Sequence, residues 1–460
     1  MAMLEKLYNR SPIFWQHVMV TMAGYQKNKQ RYGKIYDEYR LFLAEFDGWS
    51  YEEQQSYQNK ELVTFIRYAV QNSRFYQKLY AGIDLNEIKG IKDLSKLPVV
   101  DKEMLREQMD EVVTIPQKGA VIEKTGGTTG KSLVVLRTVE DMMRRMAMLD
   151  HFKARIGFEN RKMKRATFNA KSIVPAKQQK KVFWRYNHAG KQMIYTPFRL
   201  SEENMKYYVA SLNRFKPHAI DGYFTSITDI AQYIERHQLK LTFTPVAIFP
   251  TSETITESGR ALLERVFKCK VYDQYASSEG APFVTECQYQ TLHVEMASGV
   301  FEHFEAGSDE VLVTSFTTHG TPLIRYRIGD AMVFADQMSP CPCCMEAPIV
   351  KEIKGRKLDF LYTAQGAKVN AANVAGLFKN LGNAVIRAQT IQDQRDEITI
   401  LLETDKRRYN AEFEMELVEE FQRRFGLDTK LVIQHVDEIP REKSGKFRMI
   451  KNNVIVSGER

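Results

Sequence analysis

Two groups of residues in this 460-residue chain have the types and spacing to do chemistry. The run Thr125-Gly126-Gly127-Thr128-Thr129-Gly130-Lys131-Ser132 lies between apolar Val121-Ile122 and Leu133-Val134-Val135-Leu136, so it reads as a turn joining two extended segments. Its glycines let the backbone come close to a ligand. Exposed amides, two threonine hydroxyls and the Lys131 ammonium could then surround a phosphate chain. The spacing excludes a Walker A loop, which has four residues between its first glycine and the Gly-Lys pair. The second group is sulfur and imidazole. Five residues separate Cys287 from His293, and Cys341-Pro342-Cys343-Cys344 follows downstream. Any three cysteines and one histidine would complete the closed tetrahedral shell of structural zinc, with buried free thiols as the alternative.

Composition narrows the classes. With 43% apolar and 27% charged residues, the chain can bury a substantial core in two or three domains. The formal charge of +9 favours anionic ligands, but it is spread along the length. The most basic run, Arg161-Lys162-Met163-Lys164-Arg165, lacks a nucleic-acid reading motif and reads as a solvated loop, so no nucleic-acid partner is expected. Five cysteines, three of them within four positions, fit a reducing compartment better than a disulfide framework. No secretory leader and no long uncharged apolar run is evident, which points to the cytoplasm without a transmembrane segment. Phe14 and Trp15 leave peripheral membrane contact open, with helix packing as the plainer reading.

The elements that must hold these groups follow from periodicity. Residues 1–95 read as helical, with Leu62, Phe65, Ile66, Ala69 and Val70 on one face. Asp101 reads as the cap of a short helix, and 138–152 as a helix after the glycine-rich turn. Between 204 and 273 strands and helices alternate, which predicts a mixed or parallel α/β core. Segment 157–197 resists division. From 291 to 335 short β pieces dominate, and 355–460 reads as a compact α+β unit, with a helix over 372–381 and another over 410–425. The resulting organisation is an α/β protein: a helical region 1–95, a core 96–354 with a β-rich insert, and a terminal unit 355–460.

Four segments in order carry a resemblance: Thr125 through Lys131; Tyr272-Asp273-Gln274-Tyr275-Ala276-Ser277-Ser278-Glu279-Gly280; Pro322 through Asp330; and Arg441-Glu442-Lys443-Ser444-Gly445-Lys446. Together they resemble the adenylate-forming superfamily, in its phenylacetate–coenzyme A ligase and CapK-like branch. The resemblance implies a large multi-subdomain adenylation domain with a smaller mobile α+β C-terminal domain. It implies that Thr125, Gly126, Gly127, Thr128, Thr129, Gly130 and Lys131 grip ATP phosphates, that Tyr275 adjoins adenine, and that Ser278 positions phosphate or carboxylate. Glu279 would bind magnesium, and Asp330 the ribose hydroxyls. Ser252 and Glu253 match the small-small-Glu nucleotide loop, with serine where glycine is frequent. Arg356 lies in a hinge, Gly355 to Asp359, where Leu358 replaces an aspartate. Gly366 matches the loop that enters the site for thioester formation, and Lys446 matches the adenylation lysine. Arg325 and Arg327 could serve the site or pair with protein carboxylates, and for Arg327 the pairing reading is preferred. In the same branch a Cys-His and Cys-x-Cys feature implies zinc on Cys287, His293, Cys341 and Cys343, with Cys344 at a frequent glycine position.

The implied activity is ATP- and magnesium-dependent conversion of an organic acid, aromatic or not, to acyl-AMP, followed by transfer to coenzyme A. Transfer to an amine, hydroxyl or carrier thiol, or a non-catalytic nucleotide-binding scaffold, are the alternatives. Tyr223, Phe224 and Phe249, at the ends of expected core strands, are wall candidates for the acid pocket or packing residues. A homodimer is left open.

Overall fold

The computed structural model describes residues 2–124, 133–169, 173–335, 341–354, 360–378, 380–381, 384–439 and 449–454. Helices α1 (Ala2–Arg10), α2 (Ile13–Arg31), α3 (Lys34–Phe46), α4 (Tyr51–Asn72) and α5 (Arg74–Leu79) build the amino end. Ser50 opens α4 with a capping box: Glu53 N donates to its hydroxyl, and Glu53 Oε2 accepts from Ser50 N at 2.8 Å. Leu62, Phe65, Ile66 and Ala69 are buried on one face of α4, and Val70 packs beside them. After α6 (Lys102–Glu107), capped by Asp101, and α7 (Met109–Val112), strands β1 (Val121–Lys124) and β2 (Val134–Arg137) pair antiparallel as the stem of the glycine-rich turn. Thr138 then caps α8 (Val139–Arg155), accepting from Asp141 N at 2.9 Å.

Segment 157–197 resolves into β3 (Arg165–Phe168), β4 (Trp184–Asn187) and β5 (Gln192–Tyr195). Then come α9 (Glu202–Phe215), β6 (Ala219–Tyr223), α10 (Phe224–Arg236), β7 (Ala247–Thr251), α11 (Glu257–Phe267) and β8 (Lys270–Val271). These strands form one sheet in the order β4-β5-β3-β6-β7-β8, parallel except for edge strand β4. The strand–helix alternation from 204 onward thus produces the parallel arrangement it predicts. Gly222 has φ +122° and presses on β3, where an added Cβ would lie 1.9 Å from Phe168 O, so no side chain fits there.

A second sheet contains β9 (Gln274–Tyr275), β10 (Val284–Glu286), β11 (Leu292–Val294), β12 (Gly299–His303), β13 (Glu310–Ser315), β14 (Tyr326–Phe334) and β15 (Ile349–Lys354). Its order is β12-β13-β14-β15-β11-β10-β9, antiparallel throughout. Beyond it lie the hairpin β16 (Phe360–Tyr362) and β17 (Lys368–Asn370), α12 (Ala371–Ala375), β18 (Val385–Gln394), β19 (Glu397–Thr404), α13 (Ala411–Phe425), β20 (Lys430–Val436) and β21 (Ile450–Asn452). Four of these strands form the sheet β20-β19-β18-β21, on which Leu417, Phe421 and Phe425 of α13 pack with Ile398, Ile400 and Leu402. The helix expected over 372–381 is shorter. It ends at Ala375 and gives way to a 3-10 turn, Gly376–Phe378, because glycine is a poor helix residue.

Candidate functional site

Strand β9 carries Tyr275, and β14 carries Asp330, four strand positions away. In a flat sheet those backbones would stand about 19 Å apart. Instead Tyr275 donates its hydroxyl to Asp330 Oδ2 at 2.8 Å. Its ring also meets Phe301 of β12, the opposite edge strand, at a centroid distance of 6.2 Å. The sheet therefore curls until its edges approach, and the curl joins two motifs 55 residues apart. Tyr326 marks the same place. Burial, then the fields of Glu279, Asp101, Asp330 and Glu103, push its hydroxyl pKa far above the usual phenol range, so Glu279 and Asp330 act on one buried group.

The stem of the glycine-rich turn is tied to this point. Arg137, at the end of β2 and 3% exposed, pairs with Glu123 of β1 and donates from Nη2 to Ser278 O at 2.7 Å. Arg145 of α8 donates to Gly280 O at 2.9 Å and Ala281 O at 3.0 Å, with its guanidinium over the Phe283 ring. Between them Gly280, at φ +110°, leaves no room for a Cβ, which would lie 2.7 Å from Thr318 and 2.9 Å from Arg137. Two buried guanidiniums thus fix the carbonyls that flank Glu279, which is itself half-buried. Neither Arg137 nor Arg145 belongs to a motif; no local spacing marks them, since the carbonyls they hold beside Glu279 lie more than 130 residues away.

Ser252 stands at φ 67°, in the left-handed region that glycine takes most readily, which is why glycine is frequent at this place in relatives. Glu253 beside it is engaged within the protein. It accepts from Thr225 N at 2.7 Å, at the start of α10, from Thr225 Oγ1 at 3.0 Å, and from Asn370 at the end of β17. Burial raises its carboxyl pKa despite those donors. Nearby, Tyr223 donates to Asn373 Oδ1 at 3.2 Å, and Lys368 pairs with Asp229 at 3.4 Å. Ala367, next to Gly366, is buried in the same cluster as Phe224 and Ile230. These contacts seat the β16–β17 hairpin against the parallel sheet, and the sequence gives no sign of them.

Phe249 and Phe224, left between pocket wall and packing by the sequence, are both packed in the core. Phe249 is wholly buried, its ring 5.4 Å from that of Phe152 and 6.2 Å from that of Tyr272, and Phe224 is buried among α10 side chains. Aromatic residues at strand ends here fill the layer between sheet and helices. Arg327 pairs with Glu310 at 2.7 Å and Arg325 with Glu302 at 3.2 Å, so both serve as structural cations. Thr125 through Ser132, Arg356, Leu358 and Lys446 lie outside the described residues.

Asp273 lies beside the site, where burial and then the charge of Glu286 raise its carboxyl pKa to about 6. Such an acid holds its proton more tightly folded than unfolded, so its ionised form weakens the fold above about pH 6 and the penalty fades as pH falls towards 3.8. The full penalty is roughly 3 kcal/mol. Asp273→Asn keeps the acceptor for Gln274 N, now 2.8 Å away. The variant should be more stable than the parent by about 1–3 kcal/mol at pH 8, with the gain gone near pH 4, as read by urea unfolding at both values.

The sulfur and imidazole group converges. One ligand atom from each of Cys287, His293, Cys341 and Cys343 lies within 4.8 Å of every other. Cys287 ends β10, His293 lies in β11, and the two remaining cysteines precede β15, which pairs with β11. Cys287 Sγ and Cys341 Sγ are 3.7 Å apart, and Cys343 Sγ and His293 Nε2 are 3.4 Å apart. Tetrahedral zinc with ordinary bond lengths separates two sulfurs by about 3.8 Å, and sulfur from nitrogen by about 3.6 Å. A disulfide is excluded at this separation. His293 Nδ1 faces Ala347 O at 3.3 Å, which turns Nε2 inward as metal-ligating histidines require. Burial opposes ionisation of Cys341, but hydrogen bonds from the Cys343 amide and thiol, His293 and Thr291 outweigh it and lower its pKa to about 6. Cys344 is exposed and turns away at φ 62°, the conformation that makes glycine frequent there.

The fold is similar to that of solved acyl-CoA ligases. A solved structure of 2-hydroxyisobutyryl-CoA ligase with 2-HIB-AMP and CoA, in the thioesterification state, matches with a TM-score of 0.56 and 17% identity, covering 88% of this chain and 91% of that one. The same ligase in the postadenylation state with R3-HIB-AMP gives 0.55 and 16%, with the same coverage. Protein CapK of Staphylococcus aureus is 37% identical over 458 residues, spanning 98% of this chain and 100% of that protein. The family described as CapK C-terminal domain matches residues 361–453. The chain belongs to the CapK family. Among the described residues no helix is long and apolar enough to cross a membrane.

Proposed function

We propose that this protein joins an organic carboxylic acid to the AMP part of ATP, releasing pyrophosphate, and passes the acyl group to coenzyme A. The observation that carries the reading is the Tyr275–Asp330 hydrogen bond, with Glu279 acting on the same buried Tyr326 and its flanking carbonyl tied to the stem of the glycine-rich turn. Two of the four motif segments thereby meet beside the stem of the glycine-rich turn, and the fold is one in which a solved ligase holds an acyl-AMP and CoA.

In this reading Tyr275 lies against adenine while its hydroxyl steadies Asp330 towards the ribose. Thr125 to Lys131 enclose the phosphates, Ser278 orients phosphate or carboxylate, and Arg356 adds a positive charge at the ribose or phosphate. Glu279 holds magnesium, which neutralises charge on the phosphates. Lys446 stabilises the negative charge that builds as the acid's oxygen attacks the α-phosphorus. Ser252 and Glu253 shape the nucleotide loop, Glu253 through its hold on α10. For the second step the C-terminal unit turns about Gly355 to Asp359 and the Gly366 loop attends the thiol. Tyr223–Asn373, Glu253–Asn370 and Lys368–Asp229 are contacts that any turn from the present arrangement must break. Cys287, His293, Cys341 and Cys343 hold structural zinc, which closes the coordination shell with protein ligands and leaves no place for a reactive water.

The test is a panel of aromatic and aliphatic acids with ATP and magnesium, measuring pyrophosphate before and after coenzyme A is added. Acid-dependent release that ends in a thioester is expected. Release that proceeds to product only with an amine, hydroxyl or carrier thiol would move the acceptor. ATP binding with no acid-dependent release by any acid would leave a nucleotide-binding scaffold.

A further inference from the structure

Helix α2 is built inside out. The side it turns to the protein is polar and specifically bonded. Gln16 Oε1 accepts from Arg185 Nε at 2.7 Å, and His17 Nδ1 from Tyr186 N at 2.7 Å. Thr21 Oγ1 accepts from His188 N at 3.1 Å, and Asn28 Nδ2 donates to Ala189 O at 3.1 Å. Val20 adds an apolar contact there, against Ile173, Val174 and Ile194. The opposite side is apolar and open to solvent: Phe14 is 68% exposed, Trp15 54%, Met22 65% and Tyr25 53%. At 100° per residue these four, with Val18 and Lys29 between them, fall within one arc of about 100°. A helix that folds for its own protein alone puts such residues inward.

Charge says what covers this face. From Lys6 to Arg31 there is no acidic residue, while Lys6, Arg10, Lys27, Lys29 and Arg31 are basic. Lys29 lies within the apolar arc and Lys27 is exposed on the same helix, so a second copy docked through this face would bring like charges together. Aromatic and aliphatic side chains flanked by lysine and arginine instead match the boundary between acyl chains and anionic headgroups. We propose that the outer face of α2 docks on an anionic lipid surface, the helix lying flat with Phe14, Trp15, Met22 and Tyr25 turned into the headgroup layer.

The experiment sediments the full chain with vesicles of phosphatidylcholine alone, or of phosphatidylcholine mixed with phosphatidylglycerol, and repeats it with the triple variant Phe14→Ser, Trp15→Ser, Met22→Ser. The parent should bind the anionic vesicles, release from them as salt is raised, and bind neutral ones about tenfold less or weaker. The variant should lose about tenfold or more of the anionic binding with its melting midpoint unchanged, since all three side chains are exposed. Equal sedimentation of variant and parent, or none of the parent with either vesicle, overturns the proposal. So does a parent that dimerises without binding vesicles and becomes monomeric in the variant, which would give the face to a second copy. None of these readings depends on acyl activation, so the docking and the catalytic proposal stand or fall separately.

Discussion

Lys446→Ala is expected to lower acid-dependent pyrophosphate release by about 10²–10³-fold, the loss typical when one oriented donor to developing charge is removed. The uncharged methyl cannot neutralise the α-phosphate as the acid's oxygen attacks it, and no bound water replaces an ammonium held on a long side chain. Nucleotide binding should survive, because Tyr275 and Asp330 are joined to each other and lie far from residue 446 in sequence. Folding should survive as well. Met449 and Ile450 fill the core of the terminal sheet, so the hydrophobic anchor of this stretch is separate from the lysine. The check is pyrophosphate release beside nucleotide titration and thermal melting on the same preparation. Release at the parent rate would remove Lys446 from the chemistry, whereas loss of melting cooperativity would assign it to the fold.

Cys287→Ser is expected to abolish zinc binding at the proposed site and to destabilise the zinc-loaded protein by on the order of 5 kcal/mol, a scale reached when a structural metal is lost. The reason lies in what the four ligands connect. Cys287 closes the β10–β11 hairpin, while Cys341 and Cys343 close the long connection from β14 to β15. A metal there pins the middle of the curled sheet whose outer parts carry Tyr275 and Asp330. Cys344→Gly is the control. That residue is exposed, points away and sits in the left-handed region, so glycine should keep the zinc and add up to about 1 kcal/mol. Metal analysis and urea unfolding of both variants read the contrast. Full zinc content in Cys287→Ser, or equal losses in both variants, would refute the ligand set.

The candidate site was legible only in part. Asp101 was legible as a helix cap because a cap acts within three residues of itself. The alternation after residue 204 was legible because a parallel strand needs a helix to return the chain. Segment 157–197 was not, because β3, β4 and β5 are four residues each, too short for a period to show. Phe249 was left between pocket wall and packing because an aromatic residue at a strand end has the same composition signal whether it faces a ligand or Phe152.

By itself, then, the sequence determined a mixed or parallel α/β core, the order of the motif segments and the pool of cysteines and one histidine from which four donors converge, since each is written in local spacing or residue type. Only the tertiary structure decided that Tyr275 reaches Asp330, that Arg137 ties Ser278 to the stem of the glycine-rich turn, and that α2 shows its apolar side to solvent. Those outcomes depend on how far a sheet curls and which face of a helix finds partners, and both are set by contacts between residues distant along the chain.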